Sequence, residues 1–296
     1  MELTALTHNP SIKGSLTLYG KTRTKNAASR PVSVSVKITI ITVAYNSAAT
    51  IYQTLLSVSK QCYHNIEHIV IDGGSTDETL QIVRSFPHVS KVISEKDSGI
   101  YDAMNKGIRL ATGDVIGFLN SDDVYTHNEV ICKVAEQFVT KKSDTLYGDL
   151  QYVDTKDEER VLRNWVSGRF KKESFKFGWM PPHPTFFVRR NVLEKVGGFN
   201  LALKSASDYE LMLRILYKNN CSTTYLPEVM VKMRAGGASN GSIKKRLLAN
   251  QEDRMAWKLN NLHPYFFTLY MKPLRKVAQY INKEQLKRVP VLNFIL

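Results

Sequence analysis

The chain has 296 residues, 43% of them hydrophobic and 23% charged, a balance that supports a sizeable buried core and excludes a largely disordered polymer. The formal net charge is +14, but residues 1–36 carry five basic against one acidic side chain and residues 244–296 eleven against three, which leaves only +2 for the middle. A nucleic-acid domain more often carries its basic face on the folded body; basic ends suit an anionic surface, and a membrane fits as well as a polynucleotide. Cys62, Cys132 and Cys221 have no metal-type spacing and are expected as free buried thiols in a reducing compartment. No run approaches 18 apolar residues and the N-terminus lacks a signal-type apolar stretch, so neither a spanning helix nor a signal peptide is expected.

Residues 1–36, rich in Ser, Thr, Lys and Gly, read as a loosely ordered extension. Order is predicted to begin at Lys37, where Ile38 to Val43 form a β-branched run typical of a buried strand. Ile51, Leu55 and Val58 then fall at helical spacing, and Ile66 to Ile71 supply a second strand at the interval that a strand–helix–strand unit requires. Ser75 with Glu78 has the pattern of a capping box ahead of a helix carrying Leu80, Ile82, Val83 and Phe86. A short strand is predicted over Lys91 to Ser94. Asp97-Ser98-Gly99 then turns into a helix with Ile100, Met104, Ile108 and Ala111, stopped by Gly113.

The stretch from Asp114 to Tyr125 is central. Val-Ile-Gly-Phe-Leu has the bulk of a buried strand and breaks into Asn120-Ser121-Asp122-Asp123, which delivers carboxylates to the lip of the sheet, where α/β proteins bind ligands. Beyond it, Val130 to Phe138 reads as helix and Thr145 to Leu150 as strand, and residues 154–178 resist assignment. Pro181-Pro182-His183-Pro184 is rigid and extended. Thr185 to Val188 reads as strand, Ser207 with Glu210 as a second capping box opening a helix, and Thr224 to Met233 as strand. The last fifty residues interleave Lys and Arg with aromatics such as Tyr265, Phe266, Phe267 and Tyr270; they are read as basic amphipathic helices that either lie in a membrane interface or pack on the domain. Strands alternating with helices predict a mostly parallel α/β sheet with helices on both faces.

Three rim loops carry polar residues: Thr42 to Asn46, Asp72 to Asp77 and Asn120 to Asp123. Together they suggest a site for a polyhydroxylated ligand and a metal. The order Thr-Val-Ala-Tyr-Asn, Asp-Gly-Gly-Ser-Thr-Asp, Asn-Ser-Asp-Asp and Ser-Asp-Tyr-Glu resembles the inverting, nucleotide-sugar-dependent family 2 glycosyltransferases of the GT-A fold. Asp97 to Ile108 resembles their bacterial polysaccharide branch. The resemblance covers residues 37–240, with residues 37–125 as the nucleotide-sugar half and 126–240 as the acceptor half; 1–36 and the basic tail 241–296 lie outside it.

The resemblance implies that Thr42 and Tyr45 border the nucleotide base, Asp72 holds base or ribose, Asp77 orders its loop and Lys106 reaches the diphosphate. Asn120 stands where the family's metal motif usually has Asp, so it can hydrogen-bond a ribose but adds no charge. Asp122, supported by Asp123, is the implied ligand of Mg²⁺ or Mn²⁺. Asp208 matches the catalytic base, Trp179 and His183 lie on the acceptor side, and Arg234 with Gly236-Gly237 closes over the diphosphate. The implied protein is cytoplasmic and peripheral on the inner face of the membrane. It would move a sugar from a donor, by default a UDP-sugar, to a glycan or lipid-linked acceptor. A nucleotidyltransferase on a related sheet remains an alternative, although no Gly-x-Gly-x-x-Gly follows the first strand. A nucleic-acid-binding protein without catalysis leaves Asp72, Asp122 and Asp208 without purpose.

Overall fold

The computed structural model describes residues 36–236 and 243–279. The predicted N-terminal extension lies outside the described residues, and every described element belongs to the unit Val34–Leu296. In chain order these are β1 (Ile38–Ala44), α1 (Ile51–Ser59), β2 (Ile66–Asp72), α2 (Thr79–Arg84), β3 (Val89–Ser94), α3 (Ile100–Leu110), β4 (Val115–Phe118), β5 (Asp123–Tyr125), α4 (Val130–Lys141), β6 (Thr145–Val153), β7 (Val161–Trp165), β8 (Phe187–Arg189), α5 (Arg190–Val196), α6 (Ser207–Met212), β9 (Thr223–Arg234), α7 (Ile243–Leu259) and α8 (Thr268–Ala278). Residues Leu213–Lys218 extend α6 as a π-helix.

The strands form one sheet in the order β3-β2-β1-β4-β8-β6-β9-β5, with β7 paired to β6. The strands β3, β2, β1 and β4 are parallel, as the strand–helix alternation predicts. Past β4 the sheet is mixed: β8 runs antiparallel to both β4 and β6, whereas β6 and β9 are parallel. Side chains alternate across β1, so Ile38 and Ile40 enter the core beneath α4 while Ile41 and Val43 enter the core covered by α3, α5 and α6. This period of two is why the strand reads as uninterrupted apolar sequence: both faces are buried. Gly107 brings α3 onto the sheet, because a Cβ there would stand 2.5 Å from the Ile41 side chain.

Several local expectations are corrected. Neither predicted capping box forms. α2 starts at Thr79, and the Ser75 hydroxyl donates to Asp72 Oδ1 instead of capping it. Asp77 does the local work, accepting from the Thr79 amide at 3.1 Å. α6 has no side-chain cap, and Ser207 Oγ is buried without a hydrogen-bond partner. Cys62 and Cys132 are not free thiols but are bonded to one another, with Cα atoms 6.4 Å apart; only Cys221 is free. The pairing follows from the turn after α1 docking on the first turn of α4, where the Cys62 amide donates to Asn128 O at 2.8 Å and Gln61 accepts from the Ile131 amide at 3.0 Å. Among the described residues no helix is long and apolar enough to cross a membrane.

As far as it is described, the C-terminal segment packs on the sheet's helical layer. Trp257 of α7 is 0% exposed, and its indole N–H donates to the Tyr209 hydroxyl at 2.9 Å. Asn260 donates to Glu210 at 2.8 Å, and Thr268 of α8 donates to Lys176 O at 2.6 Å.

Candidate active site

The three rim loops are tied to one another. The Asn46 amide donates to Ser75 Oγ at 2.8 Å, and Asn46 Oδ1 accepts from the Thr76 amide at 2.9 Å. The Ser47 amide donates to Thr79 Oγ1 at 2.7 Å, the Ala48 amide to Asp77 Oδ2 at 3.1 Å, and the Ser47 and Ser121 hydroxyls lie 2.8 Å apart. Asn46 takes a positive φ of 47°, a conformation that Asn tolerates better than most residues. The parallel strands thus bring the ends of β1, β2 and β4 to one edge, as the order of motifs implies.

Within this rim the sequence-selected residues divide. Tyr45 is 64% exposed, with its ring beside Gly73 at the end of β2. Thr42 points elsewhere: it is buried, with Oγ1 2.9 Å from His68 Nε2. Asp72 is buried and turned onto its own loop, where it accepts from the Gly74 amide at 3.1 Å, the Ser75 amide at 3.0 Å, the Ser94 hydroxyl at 2.7 Å and the Ser75 hydroxyl. Asp77 orders its loop, and the hydrogen bonds led by the Thr79 hydroxyl lower its pKa. Lys106 is engaged by Glu95 at 2.9 Å and by Lys96 O at 3.2 Å.

The metal motif and Arg234 come together. Asp122 and Arg234 line one cleft of about 610 Å³ with Thr50, Gln53, Glu158 and Gly236, a size suited to a small ligand. Arg234 donates to Asp122 O at 2.8 Å and pairs with Glu158. Burial raises the pKa of Asp122. Burial, reinforced by the charge of Asp122, raises that of Asp123 well above the usual carboxylate range. Asn120 donates to Asp123 Oδ2 at 3.1 Å, yet Asp123 Oδ1 and Asn120 Oδ1 are buried with no hydrogen-bond donor. Orphaned buried acceptors carry a desolvation cost that a cation would relieve. No cluster of three or more His, Cys, Asp or Glu side chains at metal-binding spacing occurs among the described residues. The unpartnered oxygens of Asn120 and Asp123, next to Asp122, are of the hard type that would suit a divalent ion.

Asp208 lies in the first turn of α6. Its Oδ1 accepts a hydrogen bond from the Tyr101 hydroxyl of α3 at 3.2 Å. Tyr101 stacks on Phe199 at 5.4 Å, and Phe199 meets the edge of His183 at 5.6 Å. His183 is stacked on Phe118, the last residue of β4, at 5.3 Å. Burial lowers the His183 pKa, partly offset by the charge of Asp208, and its Nε2 is buried without a partner. His183 and Asp208 therefore share a neighbourhood. Trp179 does not join it: its indole donates to Ser167 O at 2.8 Å and its ring is wedged between Tyr147 and Phe175 in the core, leaving no face for a sugar.

Sequence reasoning missed Tyr101, Asn105 and Tyr152. Asn105 clamps Phe199, accepting from its amide at 2.8 Å and donating to its carbonyl at 2.9 Å. Tyr152 of β6 lies opposite Met233 of β9, which in turn lies opposite Asp123 of β5. Its hydroxyl pKa is raised by burial and, more weakly, by both Asp123 and Asp208, so one side chain senses both acidic groups. Arg163 sits over the Tyr152 ring at 3.7 Å.

A sheet of this order, carrying acids along the edge where its parallel strands end, has the architecture of GT-A glycosyltransferases. The chain belongs to glycosyl transferase family 2, whose model matches residues 39–197, and is a glycosyltransferase. It is 32% identical over 216 residues to a "PGL/p-HBAD biosynthesis glycosyltransferase" of Mycobacterium tuberculosis, covering 71% of this chain and 81% of the relative. It is 28% identical over 215 residues to the Escherichia coli "UDP-Glc:alpha-D-GlcNAc-diphosphoundecaprenol beta-1,3-glucosyltransferase WfaP", covering 70% and 82%. Among solved structures, S. aureus TarS 1-349 in complex with UDP-GlcNAc superposes with a TM-score of 0.59 at 21% identity, over 76% of this chain and 65% of the TarS chain, just under two thirds of it. Mannosyltransferase PcManGT from Pyrobaculum calidifontis in complex with GDP-Man and Mn2+ gives 0.57 at 18% identity, over 82% and 72%. At these identities the two structures speak to the fold alone. Asp208 and Arg234 lie beyond the residues that the family model matches.

Proposed function

We propose that this chain is a metal-dependent inverting glycosyltransferase that moves a sugar from a nucleotide-diphosphate donor, by default a UDP-sugar, onto a hydroxyl of a lipid-linked glycan in cell-surface polysaccharide synthesis. Residues 37–240 form the catalytic domain, and the basic segment 241–296 holds the enzyme on the cytoplasmic face of the membrane. The exposed ring of Tyr45 is a platform for the base, and Asp72 shapes the loop beneath it rather than touching the nucleotide. Asp122, supported by Asp123, holds Mg²⁺ or Mn²⁺, which when bound offsets the charge of the diphosphate leaving group. Arg234 faces the same diphosphate, as a guanidinium suited to phosphate oxygens.

Asp208 is the general base. Its carboxylate takes the proton from the acceptor hydroxyl as that oxygen attacks the anomeric carbon opposite the diphosphate. Configuration inverts in that single displacement. His183, packed on Phe118 and Phe199, lines the acceptor side and braces the wall next to Asp208. Tyr101 is a positioning residue: its hydroxyl holds the Asp208 carboxylate in place, and its ring is braced by Phe199. The observation that carries the reading is the hydrogen bond to Asp208 from Tyr101, whose ring stacks on Phe199 against His183.

Asp208→Asn tests it. Turnover should fall by at least a thousandfold, while UDP with Mn²⁺ still raises the melting temperature as in the parent. Transfer at parental rate would remove Asp208 from the role. The name of the related UDP-Glc-dependent glucosyltransferase supports the UDP default, and comparing UDP-, GDP- and TDP-sugars for donor hydrolysis decides it.

A further inference from the structure

α7 and α8 bury their inner faces on the domain, but the turn between them and the outer face of α8 leave aromatic and aliphatic side chains in water. Phe266 is 89% exposed, Tyr270 62% and Leu274 58%. Tyr270 and Leu274 are one helical turn apart on α8 and so share a face. Phe266 touches Phe267, which stacks on Tyr265 at 5.2 Å and lies 5.7 Å from the half-exposed Phe177. The aromatic surface of the turn therefore runs on to the end of the 3₁₀ turn Lys172–Phe177. Lys176 places its ammonium 4.8 Å from the Tyr265 ring, and the sequence from 244 to 296 carries eleven basic against three acidic residues. Aromatic rings bordered by lysines are the composition of side chains that settle at the headgroup level of a bilayer.

The position of this surface relative to the site is specific. Phe177 is followed by Gly178, whose φ is +74° and whose Cβ, if present, would stand 2.4 Å from the Lys272 amide nitrogen of α8. From there the chain runs directly to His183 beside Asp208. Phe177 and His183 are six residues apart, so their Cα atoms are separated by at most about 20 Å. A second link is shorter. The Lys272 ammonium of α8 lies 3.8 Å from the ring centroid of Tyr209, the residue next to Asp208. α8 is thus packed, through Lys272, against the helix that carries the proposed base.

We infer that Phe266, Tyr270 and Leu274, with Tyr265, Phe177 and Lys176, form a docking surface for an anionic phospholipid bilayer, set on the acceptor side of the site. The inference deepens the proposed function and rests on its membrane-held acceptor: the surface is carried by α8, which packs through Lys272 on the helix that bears Asp208. A second copy of the chain is the poorer occupant, since a self-complementary contact would bring two segments of like positive charge together.

The test is co-sedimentation of the full chain with vesicles of phosphatidylglycerol and phosphatidylcholine, and with phosphatidylcholine alone, for the parent and the triple variant Phe266→Ser, Tyr270→Ser, Leu274→Ser. The parent should bind the anionic vesicles and not the neutral ones, and the triple variant should bind at least tenfold more weakly. The three side chains are largely exposed, so the variant should keep the parent's melting temperature and its shift with UDP and Mn²⁺. Equal partition of variant and parent, or a parent that ignores anionic vesicles, overturns the inference. So does light scattering that shows the parent to be a dimer and the variant a monomer with unchanged vesicle binding. If vesicle binding falls as expected while no nucleotide-sugar is turned over, the docking surface stands and the proposed chemistry fails.

Discussion

Tyr101→Phe isolates one hydrogen bond at the proposed base. The phenylalanine keeps the ring that stacks on Phe199 at 5.4 Å and loses only the hydroxyl that donates to Asp208 Oδ1 at 3.2 Å. Hydrogen bonds to a charged group contribute about 1.5–3 kcal/mol, and 3.2 Å is long for an O–H donor. The lower end applies, about 1.5 kcal/mol, which is roughly tenfold in rate. The expected outcome is a kcat reduced about tenfold with the donor KM and melting temperature unchanged. The same substitution in an Asp208→Asn background separates positioning from packing, because a residue that acts only through Asp208 has nothing left to position there. Initial rates of nucleotide release for parent, two single variants and the double variant complete the cycle. A Tyr101→Phe enzyme within twofold of the parent, or one losing the same factor in both backgrounds, refutes the role assigned to Tyr101.

UDP should raise the melting temperature only when Mg²⁺ or Mn²⁺ is present, and Asp122→Asn should remove the metal-dependent part of the shift; a parental shift in Asp122→Asn would move the metal elsewhere. Trp257→Ala should destabilise the folded chain by about 3–5 kcal/mol in urea titration, since a fully buried indole and its bond to Tyr209 are lost together; a change below about 1 kcal/mol would mean that α7 adds little to the fold. Burial, with the neighbouring His88, brings the pKa of His68 down to about 3, below its usual 6.5, so the unfolded chain binds a proton that the native chain refuses. That contribution is fully present above pH 6.5 and is lost as pH falls toward 3, by up to about 1.4 kcal/mol per unit, or about 2 kcal/mol by pH 5. Denaturation at pH 7 and pH 5 should show a smaller loss for His68→Gln than for the parent, and equal losses would contradict the assignment.

The strands that build the rim were legible because β1, β2 and β4 are buried on both faces and read as apolar runs. Their loops were legible because the polar residues begin where burial ends. Which way each polar side chain turns was not. Asp72 and Thr42 sit where the family resemblance places donor contacts, yet Ser75, Ser94 and His68 lie closer and take them. The Ser-x-x-Glu pattern was persuasive twice and formed no cap either time: Asp72 captured one serine, and the other is buried without a partner. Residues 154–178 resisted assignment because β7 pairs on one side only, leaving Val161 and Leu162 exposed, so the alternation that marks a half-buried strand is missing. The link between Tyr101 and Asp208 spans 107 residues, and only the packing of α3 against α6 reveals it.

The cross-ties among Asn46, Ser47, Ala48, Ser75, Thr76, Asp77 and Ser121 have a thermodynamic corollary. With its amides and hydroxyls already spoken for, this edge arrives at the encounter prearranged, and a nucleotide would forfeit little freedom of the chain on landing there. Association should then resemble a key entering a cut lock, with on-rates set by diffusion and charge rather than by a slow rearrangement of loops.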